Sequence, residues 1–240
     1  MPCVPAPDLP SQADLAALAG RYDSRVIRVV EAQHRIATNR LAANADDQAL
    51  LEALADAVKP PLPPAAHDLP WLLAAPFRYG LGRPSRFRSA ETWPGILYAA
   101  EEVETAVTEA AWWRLVAFTR SPGFQRPRTP TPMSAFSVRV RTSAALDLTR
   151  GPLAIPGRWT HPDDYTATQA LGTAARAGGI AAIRAPSARR GGGINLAILD
   201  PAVLVPPPRP HSSWAFLPDG QTLLATREMS HEALRIGPVG

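Results

Sequence analysis

Two proline-rich stretches divide the chain and limit where helices and strands can run. The first is Lys59-Pro60-Pro61-Leu62-Pro63-Pro64, and the second is Pro206-Pro207-Pro208. Proline lacks the backbone N–H and clashes with the preceding helical turn, so neither stretch suits the interior of a helix or of a central strand. The sequence therefore predicts one segment before the first stretch, a main body after it, and a tail beyond the second.

The composition is that of a globular protein with a sizeable core. Of the 240 residues, 46% are apolar, which is too many for a disordered chain. The start, Met1-Pro2-Cys3-Val4-Pro5, lacks the basic residues and apolar run of a secretory signal, and no stretch reaches the roughly 18 apolar residues of a membrane span. Cys3 is the only cysteine, which excludes an internal disulfide and a thiolate metal cluster. We expect a cytoplasmic protein with no membrane association.

Nearly all of the positive charge comes from arginine. The formal net charge is +4, and Lys59 is the only lysine. Arginine grips phosphates with a planar fork of donors, so the excess fits a phosphate-bearing ligand. A GC-rich genome produces the same bias, and a nucleic-acid surface is the competing interpretation. No helix-turn-helix signature, basic tract or zinc-finger spacing favours that surface.

The segment before the first proline stretch is predicted to be helical over residues 12–58. Apolar residues recur there at three- and four-residue spacing, namely Leu15, Leu18 and Ala19 near its start and Leu50, Leu51, Leu54 and Val58 near its end. We interpret residues 1–59 as a helical N-terminal extension and residues 60–75 as a proline-rich linker.

The main body, residues 76–205, is predicted to mix strands and helices. Predicted strands cover residues 96–99, 136–140, 180–184 and 194–199, and predicted helices cover residues 101–116 and 163–177. Asp163 or Asp164 is expected to cap the second helix, and Gly178-Gly179 to end it. The tail, residues 206–240, is predicted to add a hairpin between Trp214 and Thr226. The irregular alternation favours an α+β fold over a doubly wound sheet.

Five residues stand out from their surroundings, and each has an ordinary structural alternative. Glu109 interrupts a helix lined by alanine, valine and tryptophan, although most such glutamates are simply solvated. Tyr98 ends a strand, where a core tyrosine with a satisfied hydroxyl is the alternative. Arg78 and Arg86 neighbour aromatic residues that anchor them, and surface arginine is the alternative. Ser187 lies beside a glycine-rich turn whose bare backbone can approach a ligand, although serine is common in loops.

Several familiar sites are excluded because their motifs are missing. The five histidines are scattered without the spacing of a zinc site, and HExxH is absent. No GxSxG elbow supports a serine hydrolase. The glycines at 191–193 lack the lysine and hydroxyl residue of a phosphate-binding P-loop, and no GxGxxG opens a helix. No metal site is expected.

Taken together, the motifs of the main body resemble the RES domain, a family named for its arginine, glutamate and serine. The resemblance covers roughly residues 76–205 and lies in Pro76-Phe77-Arg78-Tyr79, Ser85-Arg86-Phe87, Gly95-Ile96-Leu97-Tyr98-Ala99-Ala100, Thr105-Ala106-Val107-Thr108-Glu109, Ala185-Pro186-Ser187-Ala188-Arg189 and Gly193-Ile194-Asn195-Leu196-Ala197. No single motif is specific. The order of the motifs is specific to the family, together with the spacing of 12 residues from Arg86 to Tyr98 and of 11 residues from Tyr98 to Glu109.

The resemblance implies a fold similar to the ADP-ribosyltransferase toxins, with a cleft that holds NAD⁺ as substrate and needs no metal. It implies a toxin of an Xre/RES-type toxin–antitoxin pair, whose Xre-type antitoxin blocks the cleft and provides the only link to nucleic acid. ADP-ribose then passes to an acceptor, and the extra length of the chain favours a protein acceptor. NAD⁺ glycohydrolase or phosphorylase activity is the alternative, and a non-catalytic nucleic-acid-binding module is a distant one.

The resemblance also assigns roles to the candidate residues. It implies Glu109, Ser187 and Arg86 as catalytic residues and Arg78, Arg86, Tyr98, Ser187 and Asn195 as cofactor-binding residues. A carboxylate stabilises the positive ribose that forms when the nicotinamide bond breaks, and arginines pair with the diphosphate. An aromatic ring suits the nicotinamide, and a serine hydroxyl can fix the nicotinamide amide or a ribose oxygen.

Overall fold

The computed structural model describes residues 10–32, 58–82, 84–121 and 127–237, with the isolated positions 44, 46, 47, 50, 54 and 123. The helices of this part of the chain are α1 (Gln12–Ala17), α2 (Trp71–Arg78), α3 (Val103–Arg120) and α4 (Thr166–Ala177). Its strands are β1 (Gly20–Glu31), β2 (Leu97–Ala100), β3 (Thr131–Asp147), β4 (Ala182–Pro186), β5 (Ile194–Ile198), β6 (Leu204–Asp219), β7 (Thr222–Arg227) and β8 (Ala233–Ile236). The predicted α+β fold is confirmed.

The strands form one mixed, eight-stranded sheet in the order β1-β2-β5-β4-β3-β6-β7-β8. A further pairing of β1 with β3 closes the first five strands into a ring. Strand β3 is long enough to pair with β1 along one edge and with β6 and β4 along the other. The β3–β4 pair is parallel, and the other pairs are antiparallel.

Helix α3 covers the part of the sheet beside the candidate site. Its apolar side chains, including Val107, Ala111 and Leu115, pack on Met133 and Phe216. Two other buried clusters lie beneath α2 and around α4. Packing along its length fixes α3, so that a polar side chain on its margin has a defined position relative to β2 and β5.

The N-terminal prediction was correct for a short helix at its start and wrong for residues 20–31. Helix α1 is present and is capped by Ser11, but residues 20–31 form strand β1. The β-branched run around Val26 to Val30 prefers a strand, and pairing with β3 along most of its length outweighs the helical spacing seen earlier. Most of the remainder of the predicted helix, residues 33–57, lies outside the described residues, but the described positions Asp46, Asp47, Leu50 and Leu54 are helical.

The later elements agree closely with the predicted ones. Strands β2 to β5, helices α3 and α4, and the β6–β7 hairpin all appear near their expected positions. Helix α4 ends at Ala177 with Gly178 as its C-cap, and Gly179 has a positive φ of 73°. The N-cap residue of α4 is Tyr165, not Asp163 or Asp164 as expected. The carboxylate of Asp164 nevertheless accepts the backbone N–H of Thr166, the first residue of the helix, at 2.9 Å.

The second proline stretch lies within β6 and does not end the body of the fold. Residues 204–219 form β6, which pairs with β3 through Val205 and Arg209. The register of the β3–β6 pair shifts here, because the three residues Pro206-Pro207-Pro208 of β6 lie opposite the single residue Val138 of β3, so these prolines do not need to supply ladder hydrogen bonds. Strands from the predicted extension, body and tail thus share one sheet, and the predicted domain boundaries stay predictions.

Candidate active site

A cavity of about 380 Å³ opens beside α3, where β1, β2 and β5 meet it. This volume lies within the range of roughly 300–1,000 Å³ for small-molecule sites. Four residues singled out in the sequence line it, namely Arg86, Tyr98, Glu109 and Asn195. Ser187 reaches the same place through its hydrogen bond to Glu109. The fold thus brings together five of the six predicted site residues.

The carboxylate of Glu109 is held by two side chains from the β4–β5 hairpin. Ser187 Oγ donates to Oε1 of Glu109 at 2.6 Å, and Asn195 Nδ2 donates to the same atom at 2.5 Å. Among the described residues, Oε2 accepts no hydrogen bond. One carboxylate oxygen is therefore fixed by the protein, and the other is left for a ligand.

The β4–β5 hairpin positions Ser187 by its own backbone. The N–H groups of Arg189 and Arg190 both donate to Ser187 Oγ at 3.1 Å. The turn then passes so close to α3 that a Cβ on Gly193 would lie 2.5 Å from Oγ1 of Thr105. Since only glycine fits there, the glycine-rich turn noted in the sequence brings the hairpin against the helix that carries Glu109.

Arg86 is a buried cation beside Glu109. Its side chain is 8% exposed, and its guanidinium donates to the carbonyl oxygens of Trp159 and Pro186. Its Nε is buried and has no hydrogen-bond partner among the described residues. Burial lowers the pKa of Arg86, and the charge of Glu109 acts in the opposite direction. A buried cation with an unused donor is suited to binding an anion.

Tyr98 lines the cavity, but its hydroxyl is occupied by protein groups. Its hydroxyl is 2.9 Å from Ser85 Oγ and accepts the backbone N–H of Phe87 at 3.0 Å. Burial raises the pKa of Tyr98. These contacts fix the segment that carries Arg86, because Ser85 and Phe87 flank it.

Arg28 is a cavity residue that the sequence reasoning missed. It lies in β1, donates from Nη1 to the carbonyl oxygen of Tyr98 at 2.9 Å, and keeps a buried Nε without a partner among the described residues. Burial lowers the pKa of Arg28 to about 10. The available signal was a single charge inside the β-branched run Val26-Ile27-Arg28-Val29-Val30, but the helical prediction for this segment concealed it.

Arg189 is the second cavity residue without a predicted role. Its guanidinium lies 3.2 Å from the ring centroid of Trp112, and Nη2 donates to Tyr165 Oη at 3.0 Å and to the carbonyl oxygen of Pro162 at 2.5 Å. Both Arg189 and Tyr165 line the cavity. The sequence showed Arg189 only as part of the motif that contains Ser187.

Arg78 is the predicted site residue that the structure does not bring to this cavity. It ends α2 and lines a separate depression of about 590 Å³ with Tyr79, Leu81 and Trp93. Arg78 is not among the residues that line the cavity beside Glu109. We therefore leave Arg78 out of the proposed site.

Another cavity, of about 530 Å³, is lined by Arg21, Arg150 and Arg184 together with acidic residues. Each of these arginines already pairs with a carboxylate: Arg21 with Asp23 at 3.3 Å, Arg150 with Asp147 at 2.7 Å, and Arg184 with Glu101 at 2.8 Å. The cavity beside Glu109 is different, because two of its arginines keep unpaired buried donors.

Two further properties concern metals and membranes. Among the described residues, no group of three or more histidine, cysteine, aspartate or glutamate side chains is placed to hold a metal ion. No helix in that part of the chain is long and apolar enough to cross a membrane.

The match to a family model agrees with the motifs that meet in this cavity. Residues 61–219 match the family described as RES domain. Among solved structures, the chain is similar to the M. tuberculosis MbcT–MbcA toxin–antitoxin complex, with 16% identity and a TM-score of 0.48 over 86% of this chain and 91% of that chain. A comparison with curated proteins finds no match. Since the RES domain match spans more than half of its residues, the chain belongs to the RES domain family.

Proposed function

We propose that the chain binds NAD⁺ in the cavity beside Glu109 and cleaves the bond between nicotinamide and ribose. The observation that carries the proposal is a carboxylate oriented by two donors, next to two arginines whose buried Nε atoms lack partners among the described residues. NAD⁺ combines a bond whose cleavage creates positive charge with a diphosphate that carries negative charge. The site has a group suited to each.

Arg28 and Arg86 are the residues we assign to the diphosphate. Leaving a buried donor unsatisfied costs about 1–3 kcal/mol, and each of these residues has one such donor. A phosphate oxygen would satisfy it with a charge-assisted hydrogen bond. Both cations are already desolvated in the unliganded protein, so binding an anion requires little further loss of water from them.

Glu109 is the residue we assign to the chemical step. As the bond breaks, its electron pair leaves with the nicotinamide, which becomes neutral, and the ribose C1′ becomes positive. The carboxylate stabilises that positive charge. A nucleophile then forms a bond to C1′ and loses its proton. No general acid is needed, because nicotinamide departs without requiring protonation.

Ser187 and Asn195 are assigned to orienting Glu109, which differs from the role implied by the sequence resemblance. The hydroxyl proton of Ser187 and one amide N–H of Asn195 are both used on Oε1 of Glu109. The Ser187 oxygen also accepts hydrogen bonds from the backbone N–H groups of Arg189 and Arg190. Ser187 therefore acts on the substrate through Glu109, and Tyr98 acts through the segment that carries Arg86.

We further propose that ADP-ribose is transferred to a protein and that the chain acts as a toxin controlled by an antitoxin. The exposed side chains of Tyr79, Leu81 and Trp93 form an apolar surface around the depression beside Arg78. Exposed apolar patches of this kind mark protein contacts. Hydrolysis or phosphorolysis of NAD⁺ is the alternative, and either would deplete the nucleotide directly.

The products formed from labelled NAD⁺ test these proposals. The purified chain is incubated with NAD⁺ labelled in the adenosine half, with and without inorganic phosphate and a lysate of susceptible cells. Mass spectrometry then distinguishes ADP-ribosylated protein from free ADP-ribose and from ADP-ribose 1-phosphate. Modified protein supports transfer, the free products support the alternatives, and intact NAD⁺ under every condition contradicts the proposed cleavage.

A further inference from the structure

We infer that Trp113 and Arg189 bind the adenosine half of the dinucleotide and so make the site selective for NAD⁺ over its nicotinamide mononucleotide half. This inference rests on the proposed function, because it assigns one end of the same cavity. Both residues line that cavity. Neither contacts Oε1 of Glu109, which is occupied by Ser187 and Asn195.

Trp113 offers an exposed aromatic ring to the cavity. It follows Glu109 by one helical turn, so both side chains lie on the same face of α3. Trp113 is 44% exposed, whereas its neighbour Trp112 is 7% exposed. Their rings meet edge to face, with centroids 4.9 Å apart. The buried ring thus fixes the exposed one, which leaves an aromatic surface available to a planar ligand.

Arg189 is held rigidly beside these rings. Its guanidinium stacks on Trp112 and donates to Tyr165 and Pro162. The following residue, Arg190, anchors the loop to the start of α3 through Glu102 at 2.5 Å. A cation held by stacking and by hydrogen bonds loses little side-chain entropy when a ligand arrives.

The charge of Arg189 decides which ring of NAD⁺ meets Trp113. The nicotinamide ring of NAD⁺ is positively charged, so Arg189 repels it. Adenine is neutral and stacks well on aromatic and guanidinium planes. The phosphate nearest the adenosine carries a negative charge that Arg189 attracts. The Trp113 end of the cavity therefore suits the adenosine half, and the positive ring belongs elsewhere in the cavity.

Binding of the two halves of NAD⁺ tests the assignment. AMP and nicotinamide mononucleotide are titrated separately into the Glu109→Gln protein and into the same protein with Trp113→Ala, Trp113→Phe or Arg189→Gln. Since aromatic stacking of a base is worth about 1–3 kcal/mol, Trp113→Ala should weaken AMP about 5- to 150-fold. Phenylalanine should restore part of this loss. Arg189→Gln should also weaken AMP, and none of the changes should alter the affinity for nicotinamide mononucleotide.

A matched control and a separate activity assay keep the outcomes distinct. Trp71, which is 59% exposed on α2 and outside the cavity, is replaced by alanine and should leave both titrations unchanged. Weakened binding of nicotinamide mononucleotide in the Trp113 and Arg189 variants, or AMP binding that is absent or unaltered, overturns the inference. Release of nicotinamide from NAD⁺ by the parental chain is measured independently, and its absence contradicts the proposed function instead.

Discussion

Ser187 Oγ lies 2.6 Å from Oε1 of Glu109 and donates its proton to it. The two residues are 78 positions apart in the chain, and the close packing of the β4–β5 turn on α3 brings them together. The contact orients the carboxylate and satisfies one of its two oxygens, together with Asn195. This arrangement suits a group whose task is to stabilise a positive charge at a fixed place.

Removing the Ser187 hydroxyl should slow turnover more than it weakens binding. Ser187→Ala leaves Glu109 with one donor, so the carboxylate loses part of its orientation while the arginines that bind NAD⁺ remain. We expect kcat to fall about 10- to 100-fold, as for loss of a preorganised polar group, with KM nearly unchanged. Steady-state assays of nicotinamide release measure both. Ser143→Ala, at an exposed position of β3, is the control, and an unchanged kcat in Ser187→Ala would remove Ser187 from the site.

Substitution of Arg28 or Arg86 should weaken NAD⁺ binding, whereas substitution of Arg78 should not. Arg28→Ala and Arg86→Ala remove charge-assisted contacts worth about 1.5–3 kcal/mol, so NAD⁺ affinity should fall about 10- to 150-fold. Lysine should restore only part, because it lacks the planar fork. Arg78→Ala should bind normally. Calorimetric titration of NAD⁺ into Glu109→Gln carrying each change measures this, with thermal melts to confirm folding. Equal losses for Arg78 and Arg86 would contradict the placement of the diphosphate.

The pH dependence of stability should reveal the Asp23–Arg139 pair, which joins β1 to β3. The hydrogen bond from Arg139, at 2.7 Å, is the main cause that lowers the pKa of Asp23 from 3.8 to about 2. Because the pKa is depressed in the folded state, this stabilisation is complete above pH 3.8 and is lost as pH falls through 2. As pH falls from 5 to 2, the free energy of unfolding of the parent should therefore decrease towards that of Asp23→Asn. Denaturant titrations measure it, and a difference independent of pH would contradict the pairing.

Antitoxin control should act through the cavity beside Glu109. A carboxylate from an antitoxin segment can pair with Arg28 or Arg86 in place of a phosphate. The complex should then bind NAD⁺ poorly, and removal of that antitoxin segment should restore activity while the complex persists. Purified antitoxin is added to the active chain while NAD⁺ is followed. Undiminished consumption at saturating antitoxin would show that control is exerted elsewhere.

The sequence predicted those parts of the fold that depend on local patterns. Alternation along β3 around Val138 and the stop at Gly178-Gly179 identify their elements directly. Strand β1 was missed because its pairing with β3 is a long-range contact, which local spacing cannot reveal. The proline stretch after Val205 was misread because the three prolines bulge out of the β3–β6 pairing, and this depends on a long-range partner strand.

The order of the motifs was enough to predict some residues of the candidate site. Residues whose role depends on burial in the folded chain could not be predicted from it. Glu109, Arg86, Tyr98 and Asn195 were found from order and spacing, and all four line one cavity. Arg28 was missed because only the closed ring of strands shows that its guanidinium contacts Tyr98 and that its Nε is buried. Ser187 was identified, but its role depends on which atom accepts its hydrogen bond, and the sequence alone does not show that.

Nicotinamide release by the parental chain and by Glu109→Gln is the most direct test of the account. The substitution keeps the shape of the side chain and removes the charge that the positive ribose requires. We predict that the parent releases nicotinamide from NAD⁺, and that Glu109→Gln still binds NAD⁺ but turns over at least about 100-fold more slowly. Turnover by Glu109→Gln at close to the parental rate, or no release of nicotinamide by the parent, would contradict the account.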